Sequence, residues 1–190
     1  MPHYKGLKGI LARYIVALLR RLTYLYRFFY VITSGVSLLQ SPSGLTITYV
    51  EGGKIHRRFT NIYVLAKLFS RGEFETLSDI RKKYQLLNQH YIPGKPEFEI
   101  TKNEVIRSYE KGYKPLDEVS QSERKKIAPK VKEFLDDIHR EGIIHGDLEL
   151  KNILLDSKKS RIFVIDWENA CFSKDRKDQG KDFNILKFLN

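Results

Sequence analysis

Gly142-Ile143-Ile144-His145-Gly146-Asp147-Leu148-Glu149-Leu150-Lys151-Asn152-Ile153-Leu154-Leu155, followed by Phe163-Val164-Ile165-Asp166-Trp167-Glu168, decides how this chain folds. The first stretch is a short apolar run, a polar turn carrying a carboxylate and an amide, and a second apolar run. The second stretch is an apolar run that ends in another carboxylate. Two apolar strands that each stop at an acid are expected to bring both acids to the same end of a small sheet. Such a pair suits Mg²⁺ bound to a triphosphate, because a hard cation takes few oxygens from protein and the rest from phosphate and water. Phosphoryl transfer also needs a third oxygen, to orient the attacking hydroxyl. An Asp or Asn alone in a turn is an ordinary turn residue. The signal lies in the set and its spacing.

The kinase catalytic loop runs H-R-D-L-x-x-x-N, and a D-F-G follows it. His145, Asp147, Leu148 and Asn152 match the loop in register, and Asp166 matches the later aspartate. The chain therefore resembles the protein-kinase-like superfamily. Gly146 stands where the loop arginine would be, and Trp167-Glu168 replace Phe-Gly. An HGD loop with a later DW is similar to small atypical branches: Bud32/RIO-type kinases, aminoglycoside-phosphotransferase-like enzymes, and the Kdo and lipopolysaccharide-core kinases. The resemblance implies ATP and Mg²⁺ as cofactors. It places Asp147 as the catalytic base, with Asn152 and Asp166 as metal and nucleotide ligands. Asp182 falls where these short kinases carry an aspartate that braces the loop; capping a following helix is the other reading of that residue.

The chain has 190 residues, a formal net charge of +11 and 42% hydrophobic residues, enough for a packed core and too apolar for a disordered chain. The basic excess suits an anionic partner, whether nucleic acid, anionic lipid or a phosphorylated substrate, or else a solvated surface. Nucleic acid is not the expected partner. Cys171 is the single cysteine, so no intramolecular disulfide can form; it is read as a packing residue. No apolar run is long enough for a membrane span, and arginines break up the N-terminal apolar stretch, so no signal peptide is expected.

Residues 5–31 read as one amphipathic helix. Leu11, Ile15, Leu18, Leu22, Leu25 and Phe29 share a face, and Arg13, Arg20 and Arg27 recur every seven residues opposite it. Such a helix either lies in an anionic membrane interface or docks on its own domain with its arginines in water. Strand-like runs follow at 36–40, 45–50 and 54–59, joined by Gly/Pro/Ser turns, as a meander. Residues 62–90 read as helix with a break at Arg71-Gly72, and 98–100 with 104–108 as a second hairpin. Residues 109–116 resemble a hinge, 122–140 read as a helix that Gly142 stops, and 182–189 read as the start of another.

The expected fold is α+β: a two-lobe kinase-like fold with a small antiparallel-sheet N-lobe at 34–110 and a reduced, mainly helical C-lobe at 111–190. An amphipathic helix at 1–33 precedes both. Ser34-Gly35-Val36-Ser37 is a poor stand-in for a glycine-rich loop. Two residues compete for the cation that meets the ATP phosphates. Lys67, in Val64-Leu65-Ala66-Lys67-Leu68, resembles V-A-I-K, while Arg57 stands on the third strand-like run. Glu75 is an available acid partner, and Lys83 occupies a register where relatives carry Glu. His56-Arg57-Arg58-Phe59 and the run to Leu68 resemble Kdo kinase. No A-P-E follows Asp166, and Gly146 removes the arginine that would answer a phosphorylated loop. The expected activity is Mg-ATP-dependent phosphate transfer to a hydroxyl of a lipopolysaccharide-core sugar, Kdo or heptose. The expected place is the cytoplasm, peripheral on the inner face of the cytoplasmic membrane, with a small-molecule or glycolipid acceptor. The alternatives are a Bud32/RIO-type serine/threonine kinase or ATPase, and a non-catalytic pseudokinase.

Overall fold

The computed structural model describes residues 7–34, 37–39, 45–69, 75–156, 158 and 160–189. It divides into two units: residues 1–85 with 98–109, and residues 86–97 with 110–190. The first unit holds a five-stranded antiparallel sheet in the order β1-β2-β3-β5-β4, with β1 Ser37–Leu39, β2 Thr46–Glu51, β3 Lys54–Phe59, β4 Glu99–Ile100 and β5 Glu104–Ser108. The expected meander and hairpin are thus one sheet, joined where β3 pairs with β5, Arg57 opposite Val105. The turn at Gly52 and Gly53 has both residues at positive φ, as a tight hairpin requires. The turn at 41–44 and the Gly35-Val36 pair lie outside the described residues.

Helix α1, Leu7–Ser34, belongs to the first unit. It is docked by Val16, Leu19, Thr23 and Arg27, which are buried. The Arg27 guanidinium donates from Nε and Nη2 to the Thr46 carbonyl at 3.1 and 2.5 Å. Tyr30 of α1 packs against Tyr49 of β2, with ring centroids 5.4 Å apart. The helix is therefore anchored through its arginine side, and the leucine stripe faces out. The region expected as one interrupted helix is two: α2 Asn61–Phe69 and α3 Leu77–Asn88. Thr76 and Asp79 cap α3 reciprocally: Thr76 Oγ1 accepts from the Asp79 N–H at 3.0 Å, and Asp79 Oδ2 accepts from the Thr76 N–H at 3.2 Å.

The second unit is built on α4, Gln121–Arg140. Its start lies earlier than the sequence suggested, because Ser120 is the N-cap. Ser120 Oγ accepts from the Glu123 N–H and donates to the Glu123 carboxylate at 2.8 Å, a side-chain N-cap. Ile127, Val131, Phe134, Leu135 and Ile138 form its buried face. Gly142, at φ 73°, ends it; the Gly142 N–H donates to the His139 carbonyl at 3.0 Å. Beyond it, β7 Ile143–Ile144 pairs with β10 Cys171–Phe172. Separately, β6 Lys114–Pro115, β8 Ile153–Asp156 and β9 Arg161–Val164 form a three-stranded sheet. The two acid-bearing runs thus lie in different sheets, not one as expected, since β7 pairs with β10 while β9 pairs with β8. Among the described residues, no helix is long and apolar enough to cross a membrane. Cys171 is exposed rather than packed.

Candidate active site

The catalytic-loop residues lie in the second unit and are assembled by a bracing network. His145 follows β7 and is fully buried. Its Nε2–H donates to the Ile165 carbonyl at 2.9 Å, and Nδ1 has no partner among the described residues. Since a carbonyl only accepts, the ring is the Nε2–H tautomer. Burial pushes the imidazole pKa down, against the opposing pull of the Ile165 hydrogen bond and of Asp182, Asp166 and Asp147. The ring is therefore neutral, and it ties the loop before Asp147 to the strand end before Asp166. A second tie runs from the Ile165 N–H to the Asn152 carbonyl at 2.9 Å.

Asp182 opens the 3-10 helix Asp182–Phe188, and its carboxylate is turned inward. It accepts from the His145 N–H at 2.8 Å and the Gly146 N–H at 3.0 Å, and it meets His139 Nε2 at 3.1 Å. Of the two readings of this residue, the brace is the one the geometry bears out. Burial alone would raise its pKa, yet the bonds from His139, His145 and Gly146 outweigh that and hold the carboxyl below its ordinary range.

Gly146 has a local steric reason. Its φ is 80°, and a Cβ there would sit 2.5 Å from the Asn169 carbonyl oxygen. An arginine could occupy neither the backbone angle nor the space. Asp147 follows, and Asn169 Nδ2 donates to its Oδ2 at 3.4 Å. Asn152, nearly buried on the 3-10 turn Leu150–Asn152, donates from Nδ2 to the Asp147 carbonyl at 2.9 Å. That bond fixes which way the amide faces and presents Oδ1 as its acceptor side. Asp166 sits at φ 64°, ψ 56°, a left-handed conformation that costs a non-glycine residue about 1–2 kcal/mol. Strain of this kind persists where the surroundings over-determine it. Here the Trp167 indole N–H, bonded to the Val164 carbonyl at 2.9 Å, and the buried His145 ring stacked edge-on against Trp167 hold the turn. An amide oxygen and a carboxylate are oxygen donors of the kind Mg²⁺ takes, so the residues fit the ion the resemblance implies.

One residue was passed over in the sequence. Lys151 lies between Asp147 and Asn152, and its ammonium contacts Glu149 at 2.5 Å. That pairing raises its pKa, with Asp147 and Asp166 adding to the effect, so the lysine stands in the field of both acids. Its place in the loop, one residue before Asn152, was the available signal.

The candidate cations belong to the first unit. Lys67 stands on helix α2 rather than on a strand, so its surroundings are not those of a V-A-I-K lysine, and its side chain lies outside the described residues. Arg57 stands in the middle of β3 and stacks on Phe59 at 5.2 Å. Strand alternation puts Arg57 on the face opposite Arg58, which meets Tyr30 of α1. Glu75 pairs with Lys83 at 2.6 Å, with the lysine buried on α3. The cation of this pair thus comes from the helix and the acid from the segment before it.

A model of the lipopolysaccharide kinase (Kdo/WaaP) family matches residues 100–190. The chain is 33% identical over 72 residues to the KEOPS complex subunit Bud32 of Pyrococcus abyssi, a stretch that is 38% of this chain and 32% of that protein. It is 37% identical over 60 residues to a probable bifunctional tRNA threonylcarbamoyladenosine biosynthesis protein of Methanosarcina mazei, covering 32% of this chain and 11% of that one. The chain thus spans a third or less of the length of these curated relatives. A solved structure, the PK-1 kinase of Cydia pomonella granulovirus, aligns with a TM-score of 0.45 at 21% identity over 74% of this chain and 53% of that one. Over its second half, from the loop His145–Asn152 to Asp166 and beyond, the chain is thus similar to atypical kinases of the protein-kinase-like superfamily.

Proposed function

We propose that the protein is a Mg-ATP-dependent phosphotransferase whose acceptor is the hydroxyl of a lipopolysaccharide-core sugar. The observation that carries the reading is the loop of the second unit, where Asp147, Asn152 and Asp166 are held by His145 and Asp182. In the proposed step the acceptor oxygen bonds to the γ-phosphorus, its proton passes to Asp147, and ADP leaves with the bridging oxygen. Asn152 Oδ1 and Asp166 would hold Mg²⁺, which neutralises phosphate charge. Lys151 steadies the transferred group, and Arg57 is the candidate for the cation on the other phosphates. Asp147 orients the hydroxyl and takes its proton only as the bond forms.

The sugar acceptor is favoured by the Kdo/WaaP match over residues 100–190. A second reading, a Bud32-type kinase or ATPase, is favoured by the identity to the Pyrococcus abyssi subunit. Phosphate transfer from labelled ATP separates them. Transfer to a Kdo-containing core glycolipid, with little to protein, supports the first reading. Autophosphorylation or ATP hydrolysis indifferent to the glycolipid supports the second. No turnover with either means a pseudokinase.

A further inference from the structure

Helix α1 is mounted on the first unit the opposite way from an ordinary amphipathic helix. Its inward positions are Val16, Leu19, Thr23 and Arg27. Its outward stripe, Leu11, Leu18, Leu22, Leu25, Phe29 and Ile32, is the most apolar line on the helix. Leu18 is 57% exposed, Leu25 58% and Phe29 62%. Tyr14, Tyr24, Tyr26 and Phe28 widen it and are exposed as well. An uncovered face of this size on a water-soluble surface marks an interaction site.

Charge identifies the occupant. The first 50 residues hold six Lys or Arg and no Asp or Glu. Arg20 and Arg21 are exposed on α1. Leu11, Ile15, Leu18, Leu22, Leu25, Phe29 and Ile32 alternate steps of four and three, as a coiled-coil seam would. A second copy packed on that seam would set two acid-free helices side by side, with no carboxylate on α1 to answer Arg21. The face is also broad and rich in tyrosine and phenylalanine, which suits the boundary between headgroups and acyl chains better than a narrow seam. The helix cannot cross a bilayer.

We infer that α1 is an interfacial anchor: its Leu11–Ile32 stripe lies in the surface of an anionic lipid bilayer, with Arg21 beside the stripe at the headgroups, while Arg27 is kept inside to hold the helix on the sheet. This goes beyond the proposed function and does not depend on the phosphotransfer chemistry, which is read separately.

The test is co-sedimentation of the full chain with phosphatidylcholine vesicles and with equal mixtures of phosphatidylcholine and phosphatidylglycerol. The native chain is expected to bind the mixed vesicles, to bind neutral ones far less, and to release in high salt. The triple variant Leu18→Asp, Leu25→Asp, Phe29→Asp is expected to lose binding by a factor of about 100 or more. Its melting temperature and its Mg-ATP turnover should stay native, since these side chains are already in water. Failure of the native chain to bind mixed vesicles overturns the inference. So does a native dimer that the triple variant converts to monomer with no change in vesicle binding, since a second copy would then be the occupant. Vesicle binding with no ATP turnover would uphold the anchor and sink the enzyme reading.

Discussion

At the scale of single residues, Gly146 and Asp166 show how backbone angles set side-chain positions. Gly146 reads in the sequence as a missing arginine; in the structure it is the only residue type that fits between the Asp182 carboxylate and the Asn169 carbonyl. Gly146→Ala should cost about 1–3 kcal/mol of stability in urea unfolding and should depress turnover, because Asp147 moves with it. A variant as stable and active as the native chain would mean that the close approach to Asn169 relaxes freely. The phosphate cation is the other question at this scale. With Arg57 on β3 and Lys67 on α2, Arg57→Ala is expected to raise the KM for ATP tenfold or more, on the order expected for a lost charge-assisted contact, while Lys67→Ala leaves it within about twofold. The reverse order in steady-state kinetics would return the role to Lys67. The loop residues were legible because their signal is local: spacing alone puts His145, Asp147 and Asn152 in register. The Lys83–Glu75 pair was not legible, because a swap of charge between helix and preceding segment has no sequence period.

At the scale of elements, the periodicity of α1 was readable but its orientation was not. Reading the apolar stripe as the inward face assumes that a helix buries its most apolar side. Here the inward face is set by buried Val16 and Leu19 together with long-range contacts, Arg27 to the Thr46 carbonyl and Tyr30 to Tyr49, which no pattern within residues 5–31 reveals. Burial lowers the Arg27 pKa, yet the guanidinium keeps its two donors on that carbonyl. Arg27→Ala should cost about 1.5–3 kcal/mol, read as a lower melting temperature, because a buried carbonyl loses a charged donor. A wild-type melting temperature would show that the bond adds nothing. The start of α4 was misplaced for a similar reason: a cap lies outside the apolar period, at Ser120. The loop network also sets a pH response. Burial holds the His145 pKa below its ordinary 6.5 in the folded state, so the unfolded chain binds the proton first. Stability is then full above about pH 6.5 and falls as pH drops from there toward the lower folded value. Asp182, whose pKa is also lowered in the folded state, has the same sign and adds a loss further down, below its ordinary 3.8. Melting temperatures taken from about pH 7.5 down to about pH 5 should decline, and His145→Gln should flatten that decline whatever its absolute stability. A native profile with no slope in that range would contradict a neutral buried imidazole.

At the scale of the whole molecule, the basic excess is not evenly spread. The first 50 residues carry no acid, whereas the second unit mixes Lys, Arg, Asp and Glu along its length. The charge is thus divided: a basic first unit with an outward apolar helix, and a second unit with the acidic loop to which the phosphotransfer is proposed to belong. Composition made the charge visible from the start, and only the fold shows where it sits. The α+β class and the five strands of the first unit were legible from alternating runs and turn residues. The partition of the chain was less so, because Leu86–Glu97 joins the second unit through long-range pairing, the Val164 N–H donating to the Gly94 carbonyl at 2.7 Å. The central claim is that the loop around Asp147 and Asp166 transfers phosphate from Mg-ATP. The most direct test is Mg²⁺-dependent release or transfer of the γ-phosphate by the native chain beside Asp166→Ala, with circular dichroism to show that both are folded. The account predicts turnover in the native chain that falls by a factor of about 100 or more in the variant and vanishes when Mg²⁺ is chelated. Equal turnover in the two folded proteins, or none in the native chain with Mg-ATP and a core glycolipid present, would contradict it.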